Sequence, residues 1–261
     1  MHLQILGSGS QGNSLLIRAG ELHILLDAGL SMEEMEARLS DARVSPSRLD
    51  AIALTHGHLD HSRAAGRLAK KSGATVICCE RLMRNHALRK APRLRTLPVG
   101  IPIDVEAARG TDRATILAVQ VPHDADPTVA FRVEHKGRIA CLITDLGSHT
   151  PALKRYLSDA HVCVLEFNHD EERLSKGTYP DPLKKRIRGS HGHLSNAQAA
   201  HCLGDLINSN LHTLVLAHLS HENNTKELAH AAASEVLARA GRPDVRVLIA
   251  EQKVIGANLA V

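Results

Sequence analysis

One short segment, Thr55 to His61 (T-H-G-H-L-D-H), constrains this chain more than any other feature of its sequence. It places three imidazoles and one carboxylate within seven residues. The apolar run Leu49 to Leu54 before it predicts a buried strand, so the cluster begins where a strand ends. Because residues i and i+2 of an extended segment point the same way, His56 and His58 can bind one metal ion together.

The second half of the cluster follows a turn of the backbone. An apolar stripe predicts a helix over Ser62 to Ser72, so Asp60 and His61 aim in a different direction and suit a second ion. Imidazoles with a carboxylate fit zinc, manganese or iron, whereas a cysteine-rich cluster would predict a closed structural zinc. A histidine-rich loop without metal is the alternative, since the chain has 18 histidines. The spacing H-x-H-x-D-H is far more specific than one histidine pair.

Three further polar residues each directly follow an apolar, strand-like run or its closing proline: His123, Asp145 and His218. Any one of them alone would be an ordinary loop residue. Three such residues beside a complete H-x-H-x-D-H cluster are hard to attribute to chance, and they extend the predicted site to seven ligands.

Length and composition limit the class of protein. With 261 residues, of which 43% are hydrophobic, the chain can form one large two-sheet domain, which we expect over residues 1–261. No signal-like start and no apolar run of membrane length occur, so we expect a cytoplasmic protein with no membrane partner. Five cysteines, mostly in apolar runs, predict buried small hydrophobes rather than disulfides or ligands.

Two basic segments are candidates for contact with an anionic polymer. Arg81 to Arg95 holds six basic residues and no acidic one, and a solvated helix face explains it equally well. The second segment directly precedes His191-Gly-His193, and its basic residues are Lys184, Lys185, Arg186 and Arg188. With only 2% aromatic residues, base stacking cannot contribute much, so nucleic-acid binding would rest on backbone phosphates and be largely independent of sequence.

Two capping boxes predict helix starts. Ser31 with Glu34 predicts a helix that continues to about Ala42, and Ser195 with Gln198 predicts another. Ser195 is therefore expected to cap a helix rather than to act as a nucleophile.

The Thr55 to His61 cluster resembles the signature of the metallo-β-lactamase superfamily. The resemblance implies a four-layer αββα sandwich of the α/β class, with two mixed sheets flanked by helices and a metal site between the sheets. It implies two divalent metal ions per chain, zinc or manganese before iron. It assigns His56, His58 and His123 to one ion, Asp60, His61 and His218 to the other, Asp145 as the bridge, and Asp27 as a supporting carboxylate behind the ligands.

Within that superfamily, the chain resembles most the YycJ/WalJ-type DNA exonucleases, with ribonuclease Z-like nucleases as relatives. The segments responsible are Gly7-Ser8, Gly12-Asn-Ser14, Thr55 to His61, Glu166-Phe-Asn-His-Asp170, Gly192-His-Leu-Ser-Asn196 and His218-Leu-Ser-His-Glu-Asn-Asn224. By resemblance to the tRNA-processing nucleases, Glu166 and His193 act together as proton donor, and Asp60 is assigned to the catalytic set as well. The chain lacks a long tRNA-gripping arm and an inserted nucleic-acid-binding domain, which favours DNA over RNA.

The sequence therefore predicts a sequence-nonspecific DNA exonuclease, acting 5′ to 3′ by resemblance, with hydroxide held by the two metals as nucleophile. Its expected partner is single-stranded or end-containing duplex DNA. One alternative is a small-molecule hydrolase of the same fold, such as a cyclic phosphodiesterase or a glyoxalase II-like thioesterase. Another is a non-catalytic metal-binding regulatory protein. The complete ligand set argues against the regulatory protein, and the basic run beside His193 favours the nuclease over the small-molecule hydrolase.

Overall fold

The computed structural model describes residues 1–261. The chain divides into two compact units. The first unit comprises residues 1–118, 133–138 and 251–261, and the second comprises residues 119–132 and 139–250.

Fourteen strands form two sheets of seven strands each. The strands are β1 (His2–Gly7), β2 (Ser14–Ala19), β3 (Leu22–Leu26), β4 (Ala51–Ala53), β5 (Thr75–Cys78), β6 (Leu94–Thr96), β7 (Ile103–Glu106), β8 (Arg113–Val121), β9 (Thr128–His135), β10 (Arg138–Ile143), β11 (Val162–Glu166), β12 (Thr213–Ala217), β13 (Arg246–Ile249) and β14 (Leu259–Ala260). One sheet has the order β14-β1-β2-β3-β4-β5-β6, and the other has the order β13-β12-β11-β10-β9-β8-β7.

Both sheets are mixed. In the first, β14, β1, β2 and β3 pair antiparallel, whereas β3, β4, β5 and β6 are parallel. In the second, β10, β11, β12 and β13 are parallel, and β7 pairs antiparallel with β8. Every residue of β11 and β12 is buried, as expected for parallel strands covered on both faces. The predicted α/β class with two mixed sheets is confirmed.

Eight α-helices connect the strands. They are α1 (Met32–Asp41), α2 (Leu59–Ser62), α3 (Ala65–Ser72), α4 (Pro151–Leu157), α5 (Glu171–Lys176), α6 (Asp181–Arg188), α7 (Asn196–Leu206) and α8 (Lys226–Arg239). Both predicted capping boxes are confirmed, at Ser31 for α1 and at Ser195 for α7. No helix is long and apolar enough to cross a membrane.

The structure differs from the sequence-based expectation at two helical segments. The helix expected over 62–72 is divided into α2, which already begins at Leu59 inside the histidine cluster, and α3. Between them, the N–H of Ala64 donates to the Ala28 carbonyl at 2.9 Å instead of continuing the helix. The basic segment 81–95 is not an α-helix. It consists of two short 3-10 turns, Glu80–Arg84 and His86–Leu88, followed by β6, so its cations do not share one helix face.

Candidate active site

Adjacent parallel strands position the predicted site residues of the first unit. Leu26 at the end of β3 is paired with Ala53 at the end of β4, so Asp27 and the histidine cluster emerge at the same edge of the sheet. His58 then caps α2, and its carbonyl accepts hydrogen bonds from the N–H groups of His61 and Ser62. This turn separates the two halves of the cluster, as the sequence predicted.

Asp27 orients His61. Its Oδ2 lies 2.8 Å from Nδ1 of His61, and its Oδ1 accepts from the Thr55 N–H at 2.8 Å. The Thr55 hydroxyl also donates to Oδ2 of Asp27, at 2.8 Å. Since a carboxylate can only accept, the His61 proton is assigned to Nδ1, which leaves Nε2 as the ligand nitrogen.

The imidazoles of the cluster lie close enough to share ions. The ring of His56 is 4.7 Å from that of His58 and 4.2 Å from that of His61, measured between centroids. Oδ2 of Asp60 lies 3.6 Å from Nε2 of His61. His56 and His61 are fully buried, whereas His58 and Asp60 are half-buried. A compact set of imidazoles with one carboxylate matches the ligand preference of zinc, manganese and iron.

Sequence reasoning missed the supporting roles of Asn13 and Thr55. Nδ2 of Asn13 lies 3.0 Å from Nε2 of His61 and also donates to the carbonyl of Gly9 at 3.0 Å. The backbone N–H of Asn13 donates to the Asp60 carbonyl at 2.7 Å. The sequence did single out the segments that contain them, because Asn13 belongs to Gly12-Asn-Ser14 and Thr55 is the first residue of the histidine cluster.

Glu166 organises the predicted residues of the second unit. Strands β10, β11 and β12 are parallel neighbours, so Asp145, Glu166 and His218 meet at their carboxyl ends. Oε2 of Glu166 accepts from the N–H of Asp145 at 2.8 Å and lies 3.1 Å from Nδ1 of His218 and 3.2 Å from Nδ1 of His193. Its Oε1 accepts from the N–H of Leu194 at 2.8 Å. A carboxylate with four such partners stays ionised although it is fully buried.

The pKa values of Glu166 and His193 are shifted by burial and by the charges of neighbouring side chains. Burial alone would raise the pKa of Glu166, but the imidazoles of His193 and His218 lower it to about 2. Burial alone would lower the pKa of His193, but the charge and hydrogen bond of Glu166 raise it to about 9. Asp145 adds to that rise, with its Oδ1 3.9 Å from Nδ1 of His193. The pair therefore favours a protonated, donating imidazole beside an ionised carboxylate.

His123 joins the same group from the loop after β8. Its Nδ1 lies 3.0 Å from the carbonyl of Gly192, and its Nε2 lies 4.0 Å from Oδ1 of Asp145. Burial lowers the pKa of His123, so the ring is neutral, the form that binds a metal. Ligand atoms of Asp145, Glu166, His193 and His218 lie within 4.8 Å of one another. Of this set, Asp145 and His218 are the residues predicted to bind metal, because His193 is protonated and both oxygens of Glu166 accept hydrogen bonds within the protein.

Three predicted site residues have left-handed backbone conformations. The φ angles are 62° for Asp27, 58° for Asp145 and 55° for His218, and five non-glycine residues in the chain have positive φ. Such conformations cost free energy for a residue with a Cβ atom, and they cluster where a site requires them. Each of the three follows directly or closely the end of a buried strand, where the chain must turn sharply.

Helix α6 carries the four basic residues predicted to contact nucleic acid, and they divide into two groups. Arg186 donates to Oδ2 of Asp124 at 2.6 Å, so its charge is paired. Lys184, Lys185 and Arg188 line a cleft instead, in which Lys184 donates to the Ser175 carbonyl at 2.9 Å. The predicted contacts with nucleic acid stay a prediction.

The cysteines match the sequence-based expectation of buried small hydrophobes, and His169, His191 and His221 have no role assigned from the sequence. His169 is buried, whereas His191 and His221 are exposed. All five cysteines are buried and none forms a disulfide.

Comparison with known proteins shows which family and which relatives the sequence of this chain is similar to. Residues 7–150 match the family model of the metallo-beta-lactamase superfamily. The chain is 33% identical over 243 residues to the exodeoxyribonuclease YycJ of Bacillus anthracis, which covers 92% of this chain and 90% of that protein. It is 32% identical over 238 residues to the exodeoxyribonuclease WalJ of Streptococcus pneumoniae, covering 90% of this chain and 88% of the relative.

Solved structures with low sequence identity share the fold. The metallo-beta-lactamase fold protein YhfI from Bacillus subtilis has a TM-score of 0.71 at 18% identity, covering 98% of this chain and 99% of that chain. The short form of human tRNase Z has a TM-score of 0.63 at 16% identity, with coverage of 98% and 99%.

Proposed function

Because this chain belongs to the metallo-β-lactamase superfamily, we propose that it is a metal-dependent phosphodiesterase that degrades DNA from a strand end, without sequence specificity. Support comes from two relatives named exodeoxyribonucleases that match over about nine tenths of the chain. The proposal includes digestion from the 5′ end and action in the cytoplasm by one domain of 261 residues. These finer points rest on the sequence-based expectations.

The observation that carries the proposal is the contact between Glu166 and His193. Phosphodiester hydrolysis must deliver a proton to the departing oxygen, since an alkoxide is a poor leaving group. His193 is partly exposed, with 21% of its side chain accessible, and its Nδ1 is held by a fully buried carboxylate 3.2 Å away. Glu166 thereby orients the ring and stabilises its protonated form, which suits His193 to general acid catalysis.

The clusters of both units have the donor chemistry for divalent metals. When bound, such ions activate a water as the nucleophile and stabilise the charge that develops on the phosphoryl oxygens. The proposal keeps the ligands assigned from the sequence: His56, His58, Asp60, His61, His123, Asp145 and His218. Asp27 and Glu166 supply carboxylates that fix imidazole tautomers, so they act through neighbouring histidines rather than as ligands themselves.

The proposed hydrolysis forms one bond to phosphorus and breaks another. The oxygen of a water forms a bond to the scissile phosphorus, and the bond from that phosphorus to the sugar oxygen breaks. The proton on His193 passes to the departing sugar oxygen, and the proton of the water is released to solvent. With two tyrosines, two phenylalanines and no tryptophan in the chain, substrate contacts rest mainly on phosphates rather than on stacked bases.

The test is an assay of the purified protein loaded with manganese or zinc. Its substrates are end-labelled single-stranded, double-stranded and 5′-phosphorylated DNA, together with a closed circular strand of the same composition. We expect nucleotides to be released from the linear strands while the circle stays intact. Hydrolysis of a small phosphodiester or thioester without any cleavage of DNA would contradict the proposal and favour the small-molecule hydrolase.

A further inference from the structure

A basic cleft of about 540 Å³ lies along helix α6 in the second unit. Its lining residues are Ser175, Asp181, Lys184, Lys185, Arg188 and Gly189. Three cations thus face one carboxylate. Lys185 and Arg188 are exposed and form no ion pair, unlike Arg186 of the same helix. A guanidinium beside two ammonium groups is a suitable set of donors for a phosphate with two negative charges.

A second cavity of about 350 Å³ adjoins this cleft, since Ser175 and Arg188 line both. Its other lining residues are His169, Glu171, Ser195 and Gln198. His169 is only 1% exposed, and its Nδ1 has no hydrogen-bond partner in the protein. An unpartnered buried nitrogen costs free energy, so it points to a group that binds there.

The chemistry of the second cavity differs from that of the basic cleft. Burial lowers the pKa of His169 to about 4, so its ring is neutral at pH 7. The Ser195 hydroxyl already donates to Oε1 of Glu171 at 2.8 Å. The neutral imidazole of His169, the other oxygen of Glu171 and the amide of Gln198 remain to hydrogen-bond uncharged groups, such as the hydroxyl of a sugar or the edge of a base. The two cavities together therefore offer one compartment for an anionic group and one for a polar, uncharged group.

Both cavities are lined by residues close to His193 in the chain: Gly189 lines the basic cleft, and Ser195 lines the second cavity. The N–H of His193 donates to the Ile187 carbonyl at 2.9 Å, and the N–H of Gly192 donates to the Gly189 carbonyl at 2.8 Å. These bonds fasten the end of α6 to the loop that holds the proposed proton donor. His169 is bridged to Ser195, at the cap of α7, on the other side of the same loop.

The start of α7 is a weaker candidate for phosphate. The N–H of Asn196 donates to the His169 carbonyl at 2.7 Å, and the N–H of Gln198 donates to the Ser195 hydroxyl at 3.2 Å. Two of the helix's first N–H groups are therefore already used within the protein, which leaves the α6 cleft as the stronger anion site.

We propose that the basic cleft and the adjoining cavity together form a pocket for the terminal nucleotide of a DNA strand. Lys184, Lys185 and Arg188 take its terminal phosphate, and the cavity at His169 takes its nucleoside. This inference rests on the proposed nuclease function and deepens it, because an exonuclease must distinguish a strand end from the strand interior. A terminal phosphate carries one more negative charge than an internal one, which the unpaired cations of the cleft can recognise.

The experiment compares strand ends and uses the metal-loaded full chain. Four versions of one single-stranded oligonucleotide carry a 5′-phosphate, a 5′-hydroxyl, a 3′-phosphate or a 3′-hydroxyl, and kcat/KM is measured for each. The test variant is Lys185→Gln with Arg188→Gln. The control is Arg67→Gln with Lys70→Gln, two exposed basic residues at the same i, i+3 spacing on helix α3.

We expect the unmutated protein to prefer one phosphorylated end over its hydroxyl counterpart by about tenfold or more. Which end is preferred, 5′ or 3′, identifies the terminus that the pocket takes. The test variant should lower that ratio to about one, and the control should keep it. A ratio near one in the unmutated protein, or a preference that survives in the test variant, would overturn the inference while leaving the nuclease proposal intact. Failure to cleave any DNA would overturn both.

A second measurement addresses the cavity at His169. The variant His169→Asn keeps a polar side chain but shortens it, and its folding is checked by its thermal unfolding midpoint. Binding of thymidine 5′-monophosphate and thymidine 3′-monophosphate is compared with binding of inorganic phosphate by calorimetry. We expect a folded variant to lose affinity for the preferred nucleotide while keeping its affinity for phosphate. An equal affinity of the unmutated protein for phosphate and for both nucleotides would show that the cavity binds no nucleoside.

Discussion

Oδ2 of Asp27 lies 2.8 Å from Nδ1 of His61, and both side chains are buried. Oδ1 of Asp27 accepts the Thr55 N–H, and an ionised carboxylate has no proton to donate, so Asp27 acts only as an acceptor. The imidazole proton is therefore held on Nδ1. The unprotonated Nε2 faces the Asn13 amide nitrogen at 3.0 Å and can bind a metal in place of that contact.

The variant Asp27→Asn tests this relationship. Its amide can keep the bond from the Thr55 N–H only by turning its NH2 group toward Nδ1 of His61, which favours the opposite tautomer. Asparagine tolerates the φ of 62° at this position, so the backbone should be retained. We expect metal affinity to fall by about 10- to 100-fold, measured by competition with a chelator. Unchanged affinity would show that Asp27 supports the fold rather than the ligand.

Metal stoichiometry tests the ligand assignment. The sequence-based assignment gives two ions per chain, with Asp145 as the bridge. Elemental analysis should find two ions in the unmutated protein, and Asp145→Ala should lose the second ion first. Asp145→Asn is the matched variant, since asparagine accepts the φ of 58° that strains alanine. An unmutated protein that holds no more than one ion would contradict the assignment.

His193→Ala separates chemistry from binding. If His193 protonates the leaving oxygen, the variant should keep its metals and its DNA affinity, and turnover should fall on the order of a hundred- to ten-thousand-fold. Glu166→Gln should lower turnover in the same direction but less far. Bis-p-nitrophenyl phosphate is the comparison substrate, because nitrophenolate leaves without a proton.

The defect of His193→Ala should shrink markedly on that substrate when chemistry limits turnover. A defect of His58→Ala should not shrink, because metal activation serves both substrates. Equal losses of His193→Ala on both substrates would mean that this residue positions phosphate or supports the metals.

The salt dependence of DNA binding tests helix α6. Replacing Lys184, Lys185 and Arg188 with glutamine should weaken binding and reduce the slope of log K against log salt by about 0.7 to 0.9 for each phosphate that the protein no longer neutralises. Arg186→Gln should change the slope less, because Asp124 already neutralises Arg186. Metal content should stay constant throughout. A slope equal to that of the Arg67→Gln, Lys70→Gln control would assign these cations to a solvated surface.

Thiol labelling tests the interpretation of the cysteines as core residues. Burial raises the pKa of Cys78 and of Cys202 to about 12, and it also raises the pKa of Cys141 and Cys163. Since the thiolate is the reactive form, iodoacetamide at a pH of about 8 should leave these four thiols unmodified in the folded protein and label them after unfolding. Rapid labelling of any of these four thiols in the folded protein, identified by mass spectrometry, would show that the core is more open than the structure indicates.

Part of this protein is determined locally and is therefore visible in the sequence. The buried strands, the two capping boxes and the Thr55 to His61 cluster each depend on spacings within about ten residues, and the structure contains all of them. The boundaries of the short helices were less predictable, because Leu59 begins a helical turn inside the cluster where apolar periodicity gives no signal.

Tertiary structure decided the relationships that no local spacing encodes. Asp145, Glu166 and His218 are far apart in the chain, and the parallel register of β10, β11 and β12 brings them together. The four hydrogen-bond partners of Glu166 are brought to it by that register and by the loop at His193. The sequence also presents Arg186 as equivalent to its basic neighbours on α6. Only the fold places Asp124 beside it and leaves Lys185 and Arg188 facing a cleft, because ion pairing depends on distance in space rather than on distance along the chain.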